Sequence, residues 1–209
     1  MQQYLYSILT AFLISLSGSL PFGNLNLTAM AIAAKETVKK AVWFAIGVAL
    51  VEIIYLRFTL GAMNWVVGHV ALFFIFQWAT VALMLLLCVG SIIAATKKAG
   101  ETKNIFIENK TNRLVLGIGM SAINPMQVPF WAGWATWLFS HQALQQTAIA
   151  YNLFTLAAGV GTLTALLLFI FIGKKLSVLI QSRQHFVHII MATLFFIMAV
   201  LQAVKLLNR

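Results

Sequence analysis

Apolar runs of about 20–30 residues alternate with short polar turns along the whole chain. At about 1.5 Å of rise per residue each run is long enough, as a helix, to cross roughly 30 Å of hydrocarbon. The pattern predicts six spans, at about residues 4–34, 41–67, 69–95, 114–139, 143–172 and 185–207. Two of the runs are interrupted. The first contains Ser17-Gly18-Ser19-Leu20-Pro21-Phe22-Gly23-Asn24-Leu25-Asn26, and the fourth contains Ser121-Ala122-Ile123-Asn124-Pro125-Met126-Gln127-Val128-Pro129. Proline removes a backbone donor and clashes with the preceding turn, and the glycines of the first stretch relax the chain beside it. Pro21 falls about 26 Å along the first run, near the midplane of a tilted helix.

The chain has three prolines, all in these two stretches. Broken helices at membrane depth persist only where their freed backbone groups meet protein or a water-lined cavity. Matching interruptions in two halves of a chain point to a transporter's binding site. The competing reading is a pair of kinks that shape packing and nothing else. The clustered amides of Asn24, Asn26, Asn124 and Gln127 favour the first, because a kink does not require them. Pro21, Gly23 and Pro125 belong to the same candidate site as the residues that open the helices. The amides have a plainer role available too, as caps for the broken ends.

Composition agrees with the pattern: 62% of residues are hydrophobic and 9% charged, with a mean hydropathy of +0.95. That describes an all-α membrane protein, not a soluble domain. The net charge of +10 does not indicate nucleic acid, because the cations sit in short clusters between the runs. The turns after runs one, three and five carry three, five and three Lys or Arg, and the turns after runs two and four carry none. By the positive-inside rule the basic turns are cytoplasmic and both termini face outward. Three spans per half then turn the second half upside down relative to the first. The expected organisation is one membrane domain over residues 1–209. Inverted halves at about 1–95 and 113–209 are joined by a basic cytoplasmic loop at 96–112. Residues 1–20 carry no Lys or Arg, so they read as half a span and not as a signal peptide.

Glu52 is the most informative single residue. It lies about 17 Å from the start of the second run, near mid-membrane. A carboxyl there costs a few kcal/mol to insert, so it should face the bundle interior. It fits a site for a proton or a substrate amine. It also fits a structural partner for Arg57 or an amide, although a spacing of five residues is poor for a pair on one helix. Arg57 either holds a substrate carboxylate or snorkels to the outer interface. Gln77, Asn152 and Thr155 suit hydrogen bonds between helices. Gly117-x-x-x-Ser121 and Ala157-x-x-x-Gly161 suit close helix approach. Trp43, Trp65, Trp134 and Trp137 fall where an interfacial belt is expected. His185 and His188 lack the companions of a metal site, and Cys88, the one cysteine, excludes a paired-thiol relay. No nucleotide-binding loop, nucleophile elbow or carboxylate pair suggests an enzyme. No cofactor is implied.

Pro21-Phe22-Gly23-Asn24, Gly47 with Glu52, and Asn124-Pro125 followed by Phe130-Trp131 together resemble the LysE/RhtB family of amino-acid exporters. That family opens with a Pro-Gly-Pro-Asn-like break and carries an acidic residue, usually Asp, in its second span. It has Asn-Pro ahead of Phe-Trp in its fourth. The resemblance spans the chain and suggests a divergent member. It implies proton-driven secondary export of amino acids or related metabolites across a bacterial inner membrane. The partners so implied are an amino-acid-like substrate and the lipid bilayer, with no nucleic acid and with a homo-oligomer left open. Pro21, Gly23, Asn24, Asn26, Glu52, Asn124, Pro125 and Gln127 would hold substrate, with Glu52 coupling the proton. Two other readings stand beside it. One is an exporter of metal or inorganic ions, for which the chain is poor in ligands. The other is a membrane assembly protein that transports nothing, which would not account for two amide-rich breaks.

Overall fold

The computed structural model describes residues 2–21, 23–96, 112–124 and 127–207, and all regular structure among them is helical. The order is α1 (Gln2–Ser19), α2 (Asn24–Lys35), α3 (Val38–Val67), α4 (Val70–Thr96), α5 (Arg113–Ala122), α6 (Gln127–Ser140) and α7 (Ala148–Leu207). The first predicted run is α1 and α2, bent by 77° at the break. The fourth is α5 and α6, separated at residues 123–126. The helices α3, α4 and two arms of α7, Ala148–Phe171 and Ile189–Leu207, are each long and apolar enough to span a bilayer, and the α1–α2 pair makes a fifth candidate. The chain is thus a multi-pass, all-α membrane protein. The predicted basic loop between the halves falls almost wholly on residues 97–111, outside the described residues.

Two boundaries differ from expectation. The fifth run starts at Ala148, not near 143, because α6 ends in a Schellman-type cap. The Ala143 N–H donates to the Leu138 carbonyl at 2.8 Å and the Gln142 N–H to Phe139 at 3.2 Å. Gln142 takes the left-handed conformation that this cap needs, with φ of 53°. The Thr147 hydroxyl then caps the new helix by accepting from the Ala150 N–H. The second difference is that the fifth and sixth predicted runs belong to one helical element, Ala148–Leu207, which also takes in the basic stretch between them. No proline interrupts it there. A straight 60-residue helix would be about 90 Å long. Tyr151 near one end packs on Phe139, while Gln202 and Lys205 near the other bond Ser140. The element therefore doubles back, and its arms lie side by side.

Close backbone contact holds the halves together. A Cβ on Gly47 of α3 would lie 2.3 Å from the Leu114 carbonyl oxygen, and one on Gly117 of α5 would lie 2.1 Å from that of Phe44. The Ser121 hydroxyl donates to the Val48 carbonyl further along the same seam. On the other side, Gly161 of α7 sits against the Phe12 carbonyl of α1. Both small-residue spacings are sites of helix contact, where van der Waals packing replaces the hydrophobic effect. Trp43 and Trp65 are exposed, as a belt requires. Trp134 and Trp137 are not belt residues. Trp134 is buried and meets Phe130 and Trp137 edge to face, and Trp137 stacks on His141, because this face of α6 turns into the bundle.

Two apolar cores lie at opposite ends. One joins Leu56, Leu60 and Met63 to Trp134, Leu138 and Phe154, at the end that holds the turns at residues 68–69 and 141–147. The other joins Ile32, Phe44, Val48, Leu166 and Ile170, at the end that holds the basic turn at residues 35–40. At this basic end Glu36 receives Arg113 at 2.5 Å and Lys40 at 3.0 Å, which ties α2 to the start of α5. The Arg113 hydrogen bond holds the Glu36 carboxyl below its ordinary range against a smaller opposing effect of burial, and Lys40 adds to it.

Substituting alanine at Gly117 should force α3 and α5 apart. Overpacking of this kind costs about 1–3 kcal/mol, and we expect a clear fall in the unfolding temperature of the detergent-solubilised protein. Gly90→Ala, inside α4 where a Cβ meets open space, should not lower that temperature, because alanine favours the helix over glycine. Because the Glu36 carboxyl is more acidic when folded, its pairing stabilises the fold above the ordinary glutamate value of 4.5. That contribution fades as pH falls through the folded value. The gap in unfolding temperature between wild type and Glu36→Gln should therefore be widest near neutrality and close on acidification below about 4.5.

Candidate functional site

The site begins with backbone groups that the breaks leave unpaired. At the first break the α1 carbonyls have no next turn to bond. Asn26, from the first turn of α2, reaches back and donates its amide N–H to the Ser19 and Pro21 carbonyls, both at 2.8 Å. Asn26 is buried and brackets the bend. The N-terminus of α2 starts at Gly23, which supplies no side-chain cap to its first N–H groups. At the second break the Tyr55 hydroxyl, reaching from α3, donates to the Ala122 carbonyl at 2.9 Å. Ser121 is also placed to donate to the Gln127 side-chain oxygen at 3.3 Å.

Glu52 lies between the breaks, 7% exposed. Ser15 of α1 donates to Oε1 at 2.9 Å, and Thr162 of α7 donates to Oε2. The indole of buried Trp131 lies beside the same carboxyl. The hydroxyls also meet one another, Ser15 with Thr162 at 2.7 Å and Ser19 with Thr162 at 3.0 Å. Elements from both halves therefore hold one acidic group: α1 and α3 from the first, α6 and α7 from the second.

A cavity of about 960 Å³ opens beside Glu52. It brings together Pro21, Gly23, Asn24, Asn26, Glu52, Asn124 and Gln127 of the residues singled out in the sequence. Pro125 lies outside the described residues. The cavity has a direction. Along α3 its wall includes Val48 and Glu52, and along α4 it runs from Leu83 to Ser91, toward the basic end. Beyond Glu52 the core around Leu56, Leu60 and Trp134 fills the space instead.

Arg57 does not face this cavity. Its Nε donates to the Asn152 side-chain oxygen at 2.9 Å and its guanidinium lies 5.5 Å from the centre of the Tyr151 ring, whose hydroxyl donates to Asn64. Asn152 and Gln77 make the interhelical bonds expected of them, Gln77 to Ser140 at 2.9 Å. Thr155 instead bonds the Asn152 carbonyl of its own helix. His185 bonds the Ala95 carbonyl.

The family model of the LysE type translocators matches residues 16–206. The chain belongs to this family. Membership makes it a membrane exporter of small molecules, and the family is one of translocators and not of enzymes. No curated protein and no solved structure gives a significant match. The match in the translocator begins inside α1, one residue after Ser15, and takes in both breaks, Glu52 and both arms of α7.

Sequence reasoning missed Ser15, Thr162, Tyr55 and Trp131. A faint signal existed for the first: Ser15 and Ser19 are four residues apart, on one face of a helix that ends in a break. Nothing in the sequence ties Thr162 or Tyr55 to positions so far away in the chain. In the translocator, Tyr55→Phe should leave the Ala122 carbonyl unsatisfied, and Asn26→Ala should do the same to two carbonyls. Each orphaned group typically costs about 1–3 kcal/mol. Thermal unfolding should thus rank wild type above Tyr55→Phe, and Tyr55→Phe above Asn26→Ala.

Proposed function

We propose that this protein is a secondary active exporter of amino acids or related small metabolites across the inner membrane, driven by protons through Glu52. The observation that carries the reading is a buried carboxyl held by hydroxyls from both halves, on the wall of a cavity where the two broken helices meet. An amino acid presents a carboxylate and an ammonium. The N-terminus of α2, at Gly23 and Asn24, suits the carboxylate. Asn124 and Gln127 offer neutral acceptors and donors to the rest of the head group. Glu52 suits the ammonium, or the proton exchanged for it.

The halves run as inverted repeats in this reading, with basic turns in the cytoplasm and both termini outside. The cavity, leading toward the basic end, then represents an inward-facing state. The core of Leu56, Leu60 and Trp134 closes the outer side. Release would require that core to part while the Glu36–Arg113 end closes, by rocking of one half against the other. A proton on Glu52 and a substrate ammonium satisfy the same carboxyl, so one displaces the other. That competition couples the two fluxes.

Proteoliposomes decide the matter. Labelled amino acid should accumulate by counterflow in wild-type vesicles and respond to an imposed pH gradient. Glu52→Gln should insert and fold normally but lose the response to the gradient, with export reduced at least tenfold. Normal gradient-driven export by well-folded Glu52→Gln protein would remove Glu52 from the mechanism.

A further inference from the structure

The two walls of the cavity differ in chemistry. The wall formed by α1, α3 and the breaks is polar, with Ser15, Ser19, Glu52, Asn24, Asn124 and Gln127. The lining from α4 and the arms of α7 is mostly apolar, with Leu83, Leu87, Leu166, Met191 and Phe195 against two hydroxyls, Ser91 and Thr162. Among the described lining residues Glu52 is the one ionisable group. Of the other charges among the described residues, Arg57 is held by Asn152 and Tyr151, and Glu36 by Arg113 and Lys40.

We infer that the cavity selects α-amino acids with uncharged apolar side chains of leucine, methionine or phenylalanine type, because one polar wall takes the zwitterion and the other side, apart from the Ser91 and Thr162 hydroxyls, offers hydrocarbon and thioether. This rests on the cavity being the transport site. A lysine side chain would place its ammonium against Leu87, Met191 and Phe195 with no second carboxylate to receive it. A glutamate side chain would meet the same wall with no cation among the described lining residues. Burying either charge unpaired is strongly unfavourable. An apolar side chain instead removes its surface from water against that wall. Methionine and leucine walls also adapt to several shapes, so the site discriminates by polarity first and by size second. The volume of about 960 Å³ lies near the upper end of the roughly 300–1,000 Å³ range of small-molecule pockets. A bulky aromatic side chain fits within it.

Gly90 gives access to the size limit. It lines the cavity, and a Cβ there meets nothing within 4 Å. Leucine at that position extends into the space the substrate side chain uses without moving the backbone.

The test is counterflow in proteoliposomes with labelled leucine, methionine, phenylalanine, alanine, lysine and glutamate. Leucine, methionine and phenylalanine should exchange at least tenfold faster than lysine or glutamate. Exchange of lysine or glutamate at an equal or greater rate would overturn the selectivity while leaving an amino-acid exporter in place. Exchange of none of the six by folded protein would overturn the transport reading itself. Gly90→Leu should slow phenylalanine at least tenfold more than alanine. Equal slowing of both would show that the α4 wall does not touch the substrate side chain.

Discussion

Hydrocarbon offers no hydrogen bonds, and the two helix breaks leave backbone carbonyls with none. How those carbonyls are satisfied governs much of the arrangement around them. At the first break the donor is local: Asn26 folds back on Ser19 and Pro21 and sets the sharp bend between α1 and α2. At the second break the donor is distant: Tyr55 crosses from α3 to Ala122. That bond joins the seam where Gly47 and Gly117 let the two backbones touch. A larger residue at either glycine would separate the helices and carry the Tyr55 hydroxyl out of reach. Small residues, the break and its cap thus form one mechanical unit.

The same logic applies to Glu52. A carboxyl this deep is tolerable only if its oxygens are supplied with donors. Ser15 and Thr162 supply them from two different helices, and the Trp131 indole lies beside the carboxyl from a third. The contact of Gly161 with the Phe12 carbonyl brings α1 and α7 close enough for hydroxyls as short as serine and threonine to span the gap. Packing and polar satisfaction depend on each other here. Any motion that separates α1 from α7 breaks the hydroxyl set around the carboxyl. The occupancy of that carboxyl and the arrangement of the halves are therefore linked, which is the element a coupled carrier needs.

The cavity is asymmetric along the helix bundle. Packed aromatic and aliphatic side chains close one side of Glu52, while on the other the lining continues toward the basic end. Each end has its own polar tie, Arg57 with Asn152 and Tyr151 at one, Glu36 with Arg113 at the other. Both ties join elements of the first half to elements of the second. They stand where a carrier would make and break contacts in alternation, and the one at the closed end is reinforced by the larger core.

Much of this was legible in the residues alone. Span lengths follow from hydrocarbon thickness, so the apolar runs gave most helix boundaries to within a few residues. Proline geometry fixed where helices one and four must break. The cost of a buried carboxyl turned Glu52 inward, and small-residue spacings marked the seams, because all of these are local properties of the chain. Other features depend on which distant residues meet. The pairing of Glu52 with Ser15 and Thr162, the Tyr55 bond to Ala122, and the turning of Arg57 away from the cavity required the tertiary structure. So did the burial of Trp134, which by sequence looked like an interfacial residue, and the opposition of a polar wall to a mostly apolar one. Periodicity tells which face of a helix is apolar. It does not tell whether that face meets lipid, another helix or a cavity, because all three accept the same side chains and only the packing of the bundle distinguishes them.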